Sequence, residues 1–167
     1  MSAVRPARPE DAPELVRLRR LMFAAMQGRD EPGPWEESAV RMTAEQLAAP
    51  TPVLGAFVVD ADSPGPDGRP RLAACAVGRL EERLPAPGHP SGRFGFVFNV
   101  CTDTGHRGRG YARATTRALL EWLAERGASR VDLHATGEAE SMYRSMGFAE
   151  HSTALSLDVR ELLRERP

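Results

Sequence analysis

Residues 94–112 read FGFVFNVCTDTGHRGRGYA, and the fold is decided there. The first part, 94–102, is rich in Phe and Val and predicts a buried strand. A glycine and arginine turn follows at 105–110. Directly behind it a helix is expected over 111–126, with Leu119, Leu120, Trp122 and Leu123 inward and Gly127 as its stop. Such a turn suits an anion. The first N–H groups of a helix have no internal partner and the helix dipole places partial positive charge there, so a pyrophosphate is well matched. Gly108 and Gly110 lack Cβ atoms and let the backbone approach phosphate closely, while Arg107 and Arg109 add charge from the side.

Toward the N-terminus, a short extended start at 3–7 precedes Asp11, and Glu14 three residues later completes a capping-box pattern for a helix beginning at Ala12. Leu15, Leu18, Met22 and Met26 give that helix one buried face, with Arg17, Arg19 and Arg20 on its solvated side. The breakers Gly28, Pro32, Gly33 and Pro34 separate it from a second helix over 35–49. Residues 53–60 and 71–80 are apolar on both alternating faces, as strands covered on both sides would be, and 84–93 is a proline-rich loop. Beyond the central segment, a strand is expected at 131–135, a short helix at 138–146 and a last strand at 148–159, where Leu155, Leu157 and Val159 alternate. The order is that of a mixed α/β domain, antiparallel in its first half with a crossover helix in the second, and residues 1–167 read as one domain without internal repeats.

Composition narrows the function. The net charge of -1 and pI near 6.4 give no basis for a nucleic-acid or membrane-surface partner. All 22 basic residues are Arg, which reads as codon bias of a GC-rich genome rather than as a functional signature. Cys75 and Cys101 lie in apolar runs without a second ligand at metal-binding spacing, so no metal site is expected. The N-terminus lacks a signal-peptide core and no apolar run approaches the ~20 residues of a membrane span, so a cytoplasmic protein with reduced cysteines is expected.

Spacing discriminates among anion loops. A P-loop needs Lys, which this chain lacks, and a dinucleotide fingerprint needs a third glycine where Arg113 stands. Arg107, Gly108, Arg109, Gly110, Tyr111 and Ala112 follow instead the R-x-x-G-x-A form of an acetyl-CoA loop, and here the chain resembles the GNAT superfamily of N-acetyltransferases. The opening RPARPED at 5–11, LHAT at 133–136 and MYRSMGF at 142–148 extend that resemblance over nearly the whole sequence.

The resemblance implies a mostly antiparallel central sheet flanked by helices on both faces, with acetyl-CoA as co-substrate and a homodimer as the assembly. The backbone of Val100, Cys101 and Thr102 would pair with the pantetheine arm like an added strand, and a bulge would free an oxyanion donor near Val100 or Cys101. Tyr143 matches the family's tyrosine that protonates the departing thiolate, a transfer between ordinary pKa values of about 10 and about 8.5. The fourth strand carries no carboxylate to serve as base, so a water relay through Asn99 or through His134 takes that place, against the plainer reading of His134 as a hydrogen-bonded structural histidine. Thr136 and Thr104 stand where many members have Asn and Pro, changes that weaken the hold on CoA. Cys101 reads as core packing and Asp103 as a turn residue. The acceptor is a small-molecule or peptide amine, met by residues 26–35 and 84–93, with Asp30, Glu31, Glu36 and Glu37 to attract a cation. A non-catalytic acyl-CoA-binding module is the alternative that the missing carboxylate keeps open.

Overall fold

The computed structural model describes residues 3–164. The chain forms two compact units, one ending at Leu133 and the other beginning at His134. The first unit is built on a five-stranded sheet in sequence order: β1 (Val4–Pro6), β2 (Leu54–Asp60), β3 (Leu72–Glu82), β4 (Arg93–Thr102) and β5 (Val131–Leu133). All neighbours pair antiparallel except β4 and β5, which are parallel and joined through the crossover helix α3 (Tyr111–Glu125).

Helices cover both faces, which explains why β3 begins with seven consecutive buried residues. On one face Leu15 and Leu18 of α1 (Ala12–Gln27), with Leu47 of α2 (Trp35–Leu47), pack on Leu54, Ala56, Val58, Cys75, Val77 and Cys101. On the other face Leu119 and Leu123 of α3, both fully buried, pack on Ala76 and Val97. Burial of each such leucine contributes about 1.5–3 kcal/mol.

The β3–β4 ladder is irregular at one place. Val77 faces Asn99 and Gly78 faces Val97, so Phe98 is the extra residue of a bulge. Gly78 is required there, because a Cβ would lie 2.8 Å from the Phe96 carbonyl oxygen and 3.1 Å from Leu119. Val100 and Cys101 stay in regular register with Ala76 and Cys75, so the bulge falls before the positions expected from the sequence.

Three other expectations are corrected. Asp11 does not cap α1; it accepts the Arg8 N–H at 2.7 Å and the Arg5 guanidinium, while Glu14 accepts the N–H of Leu72 on β3 at 2.8 Å. The capping-box residues thus tie α1 to the sheet. Arg17 and Arg19 are half-buried toward the sheet rather than solvated. Finally, 148–159 forms no strand: Leu155, Leu157 and Val159 are 89%, 67% and 62% exposed, and the segment leads to the short helix α5 (Arg160–Arg164). Alternation supplies a face but not the partner strand that a ladder needs. The second unit also contains α4 (Glu140–Ser145).

Candidate active site

β4 runs past its neighbour. β5 pairs with Gly95, Phe96 and Val97 and stops at Leu133, so residues 98–102 of β4 have no strand partner on that side among the described residues. Asp103 donates its N–H to the Ala73 carbonyl on β3 at 2.8 Å. By antiparallel alternation the main-chain groups of Val100 and Thr102 point away from β3, to the open edge. Strand β4 therefore offers hydrogen-bonding backbone of the kind that an extended ligand uses.

The turn after β4 is held by Asp103. Its carboxylate accepts from Arg71 Nε at 3.1 Å and the Thr104 N–H at 2.9 Å, and Arg17 lies 3.3 Å away. Burial alone would raise the Asp103 pKa, but the two guanidinium groups and the N–H outweigh it and hold the carboxyl below its ordinary value of 3.8. Asp103 is thus a turn residue, as the sequence suggested. Asp103→Asn is expected to lower stability by about 1–2 kcal/mol by leaving two arginines short of a counter-charge. Because the folded pKa is depressed, this contribution is full above the ordinary value of 3.8 and is lost as pH falls through the folded pKa. Melting curves of both proteins should therefore differ at neutral pH and converge in acid; a gap that persists at low pH would assign the effect to packing.

Gly108 and Gly110 adopt left-handed φ angles of +76° and +78°, and a Cβ at either would meet no atom within 4 Å. Open space lies over the turn, and Gly110 is the residue from which α3 starts. Arg107 and Arg109 are exposed, Arg109 3.3 Å from Asp62. Tyr111 packs on Val59, Ala73 and Ala74, anchoring the helix start to the sheet, and Ala112 follows in the first turn. The Nδ1 of His106 in the same turn is buried without a hydrogen-bond partner. An open edge, a helix N-terminus with two left-handed glycines and an orphaned imidazole nitrogen together fit a pantetheine-pyrophosphate ligand. Among the described residues no cluster suited to a metal ion occurs.

The catalytic candidates divide between the units. Asn99 on β4 is 2% exposed, its Oδ1 accepts from Arg19 Nη1 at 3.2 Å and its Nδ2 donates to Cys75 Sγ at 3.5 Å. With its amide engaged at both ends, Asn99 is poorly placed to relay a proton through water. In the second unit His134 and Thr136 are exposed, and the Thr136 carbonyl accepts the N–H groups of Ala139 and Glu140 at the start of α4. Tyr143 on α4 is 7% exposed, stacks edge-on against Phe148 at 5.8 Å, and burial raises its pKa above the ordinary 10.0. Burial also pushes the Cys101 thiol up to about 11 and that of Cys75 to about 12, so both stay protonated and non-nucleophilic at neutral pH.

The sequence reading missed the arginines of α1. Arg19 lies four residues from both Leu15 and Phe23, so it stands within the apolar stripe, and that spacing was the available signal. The acidic residues near the first helices are also less free than expected. Arg20 engages Asp30 and Glu36, and Arg29 engages Glu31.

The acetyltransferase (GNAT) family model matches residues 20–148. The chain belongs to the GNAT family, whose members are acyl-CoA-dependent N-acetyltransferases. A predicted acetyltransferase of Clostridium acetobutylicum, solved with acetyl-CoA, superposes with a TM-score of 0.79 at 22% identity, covering 96% of this chain and 98% of that one. A GCN5-related N-acetyltransferase of Ralstonia eutropha gives a TM-score of 0.69 at 24% identity, covering 94% and 98%. A mycothiol acetyltransferase of Amycolatopsis mediterranei is 38% identical over 73 residues, 41% of this chain and 24% of that protein. The chain therefore spans about a quarter of the length of this curated relative. No helix among the described residues is long and apolar enough to cross a membrane.

Proposed function

We propose that this protein binds acetyl-CoA along β4 and the N-terminus of α3 and transfers the acetyl group directly to the primary amine of a small molecule or peptide, residues 1–167 acting as one catalytic domain. The observation that carries the reading is the pair of left-handed glycines, Gly108 and Gly110, opening α3 behind a strand with an unpaired edge. Backbone N–H groups of 107–112 take the pyrophosphate, with Arg107 and Arg109 beside it. Val100 and Thr102 pair with the pantetheine arm past Cys101, and the outward Val100 N–H polarises the thioester carbonyl. The Thr136 hydroxyl adds a contact to the same arm. The amine attacks the thioester carbonyl, the carbon–sulfur bond breaks, and Tyr143 donates its proton to the leaving thiolate. The proton of the amine leaves through a water relay to His134.

The protonated cysteines support direct transfer, since an acetyl-enzyme on Cys101 would require a thiolate. Cys101→Ala should accordingly retain turnover within about threefold, whereas complete loss in a folded variant would reinstate a covalent route. The test of the whole reading is calorimetry with acetyl-CoA followed by thiol release over an amine panel. Binding with amine-dependent release supports it; failure to bind acetyl-CoA overturns it.

A further inference from the structure

Arg19 is a charge without a counter-charge. Its neighbours on α1 are matched: Arg17 pairs with Glu14 and Asp103, and Arg20 with Asp30 and Glu36. Arg19 has no carboxylate partner among the described residues. Its guanidinium, half-buried over the sheet, donates through Nη1 to Asn99 Oδ1 at 3.2 Å, and its central carbon lies 4.7 Å from the ring centre of Phe23 and 5.7 Å from that of Phe98. The group on β3 that acts on it electrostatically is the Cys75 thiol, which is neutral at pH 7. Burial lowers the Arg19 pKa by more than Cys75 raises it, although a guanidinium stays charged.

The position of this cation gives it a role. Phe98 and Asn99 form the β4 bulge, one residue before Val100, the proposed donor to the thioester carbonyl. Phe23, on which the guanidinium lies, also lines a cleft of about 220 Å³ with Arg20, Gln27, Glu31 and Trp35. Asn99 and the two rings fix the plane of the guanidinium. One of its five N–H donors is used by Asn99, and the rest of the fork is shaped for two oxygens of one anion. We infer that the acceptor amine carries an oxyanion, a carboxylate or a phosphate, and that Arg19 binds it while the amine reaches the acetyl group beside the β4 bulge. This rests on the acetyl transfer proposed above, and it makes Arg19 a specificity-determining residue with Asn99 as its positioning partner.

The experiment compares matched amines at saturating acetyl-CoA, reading thiol release. One arm sets each common L-amino acid against its α-amide; the other sets phosphoethanolamine against ethanolamine and an amino-sugar phosphate against the free amino sugar. The anionic member of at least one pair should have a kcat/KM about tenfold to hundredfold higher, and the arm in which this occurs names the oxyanion. In Arg19→Met the preference should fall to near unity, mainly through KM for the acid, while the acetyl-CoA affinity stays within about twofold. Arg19→Lys, which keeps charge but not the fork, should keep only part of the preference, and it serves if the Met variant does not fold. Equal rates across every pair, zero included, or a preference that survives both substitutions, overturn the inference. If the wild type releases thiol with these amines and shows no preference, this inference alone fails; if it does not bind acetyl-CoA, the proposed function fails with it.

Discussion

Gly110→Glu is expected to abolish acetyl-CoA binding in calorimetry, a loss of more than about a hundredfold in Kd. Two effects add. Gly110 sits at φ +78°, where an L-residue costs about 1–2 kcal/mol. The new carboxylate would stand at the N-terminus of α3, facing the pyrophosphate, and like charges about 4 Å apart repel by about 1 kcal/mol in water and about 4 kcal/mol near a protein surface. Gly110→Ala separates these contributions. A Cβ at this position meets no atom within 4 Å, so Ala introduces backbone strain alone and should weaken binding by about tenfold. If the Glu variant binds like the wild type, the pyrophosphate lies elsewhere and the assignment of residues 107–112 is wrong.

Tyr143→Phe is expected to lower kcat by about a hundredfold while leaving the Kd for acetyl-CoA within a factor of about two. The substitution removes the phenolic proton and preserves the ring that stacks on Phe148 at 5.8 Å. Burial raises the Tyr143 pKa above 10.0, which favours the protonated form that a general acid requires. In the wild type, kcat should therefore show no loss from Tyr143 ionisation until the pH exceeds the ordinary phenol value of 10.0, and the Phe variant should lack that alkaline limb. A Phe variant with unchanged kcat would reduce Tyr143 to a packing residue and leave the thiolate to be protonated by water.

The segment from β4 to α3 was legible from residues 94–112 because its determinants are local. Helical periodicity placed Leu119 and Leu123 inward, and both are fully buried. Gly108 and Gly110 occupy the left-handed turn that glycine alone enters without strain. The paired apolar strands β2 and β3 were recognisable for the same reason, since covering by helices on both faces leaves a continuous apolar run.

What the sequence determined by itself, then, is the strand, turn and helix of the candidate acetyl-CoA site and the family to which they belong. Tertiary structure decided the rest. Glu14 has the spacing of a cap, yet it accepts the Leu72 N–H, because a carboxylate beside the first residue of a strand bonds whichever free donor lies within reach. Residues 148–159 alternate like a strand and form none, because a ladder needs hydrogen-bonding partners that alternation does not provide. The bulge at Phe98, the hold of Arg17 and Arg71 on Asp103 and the unmatched charge of Arg19 all join residues far apart in the chain. Their energies depend on distance and burial in the folded molecule, and neither quantity is written in local spacing.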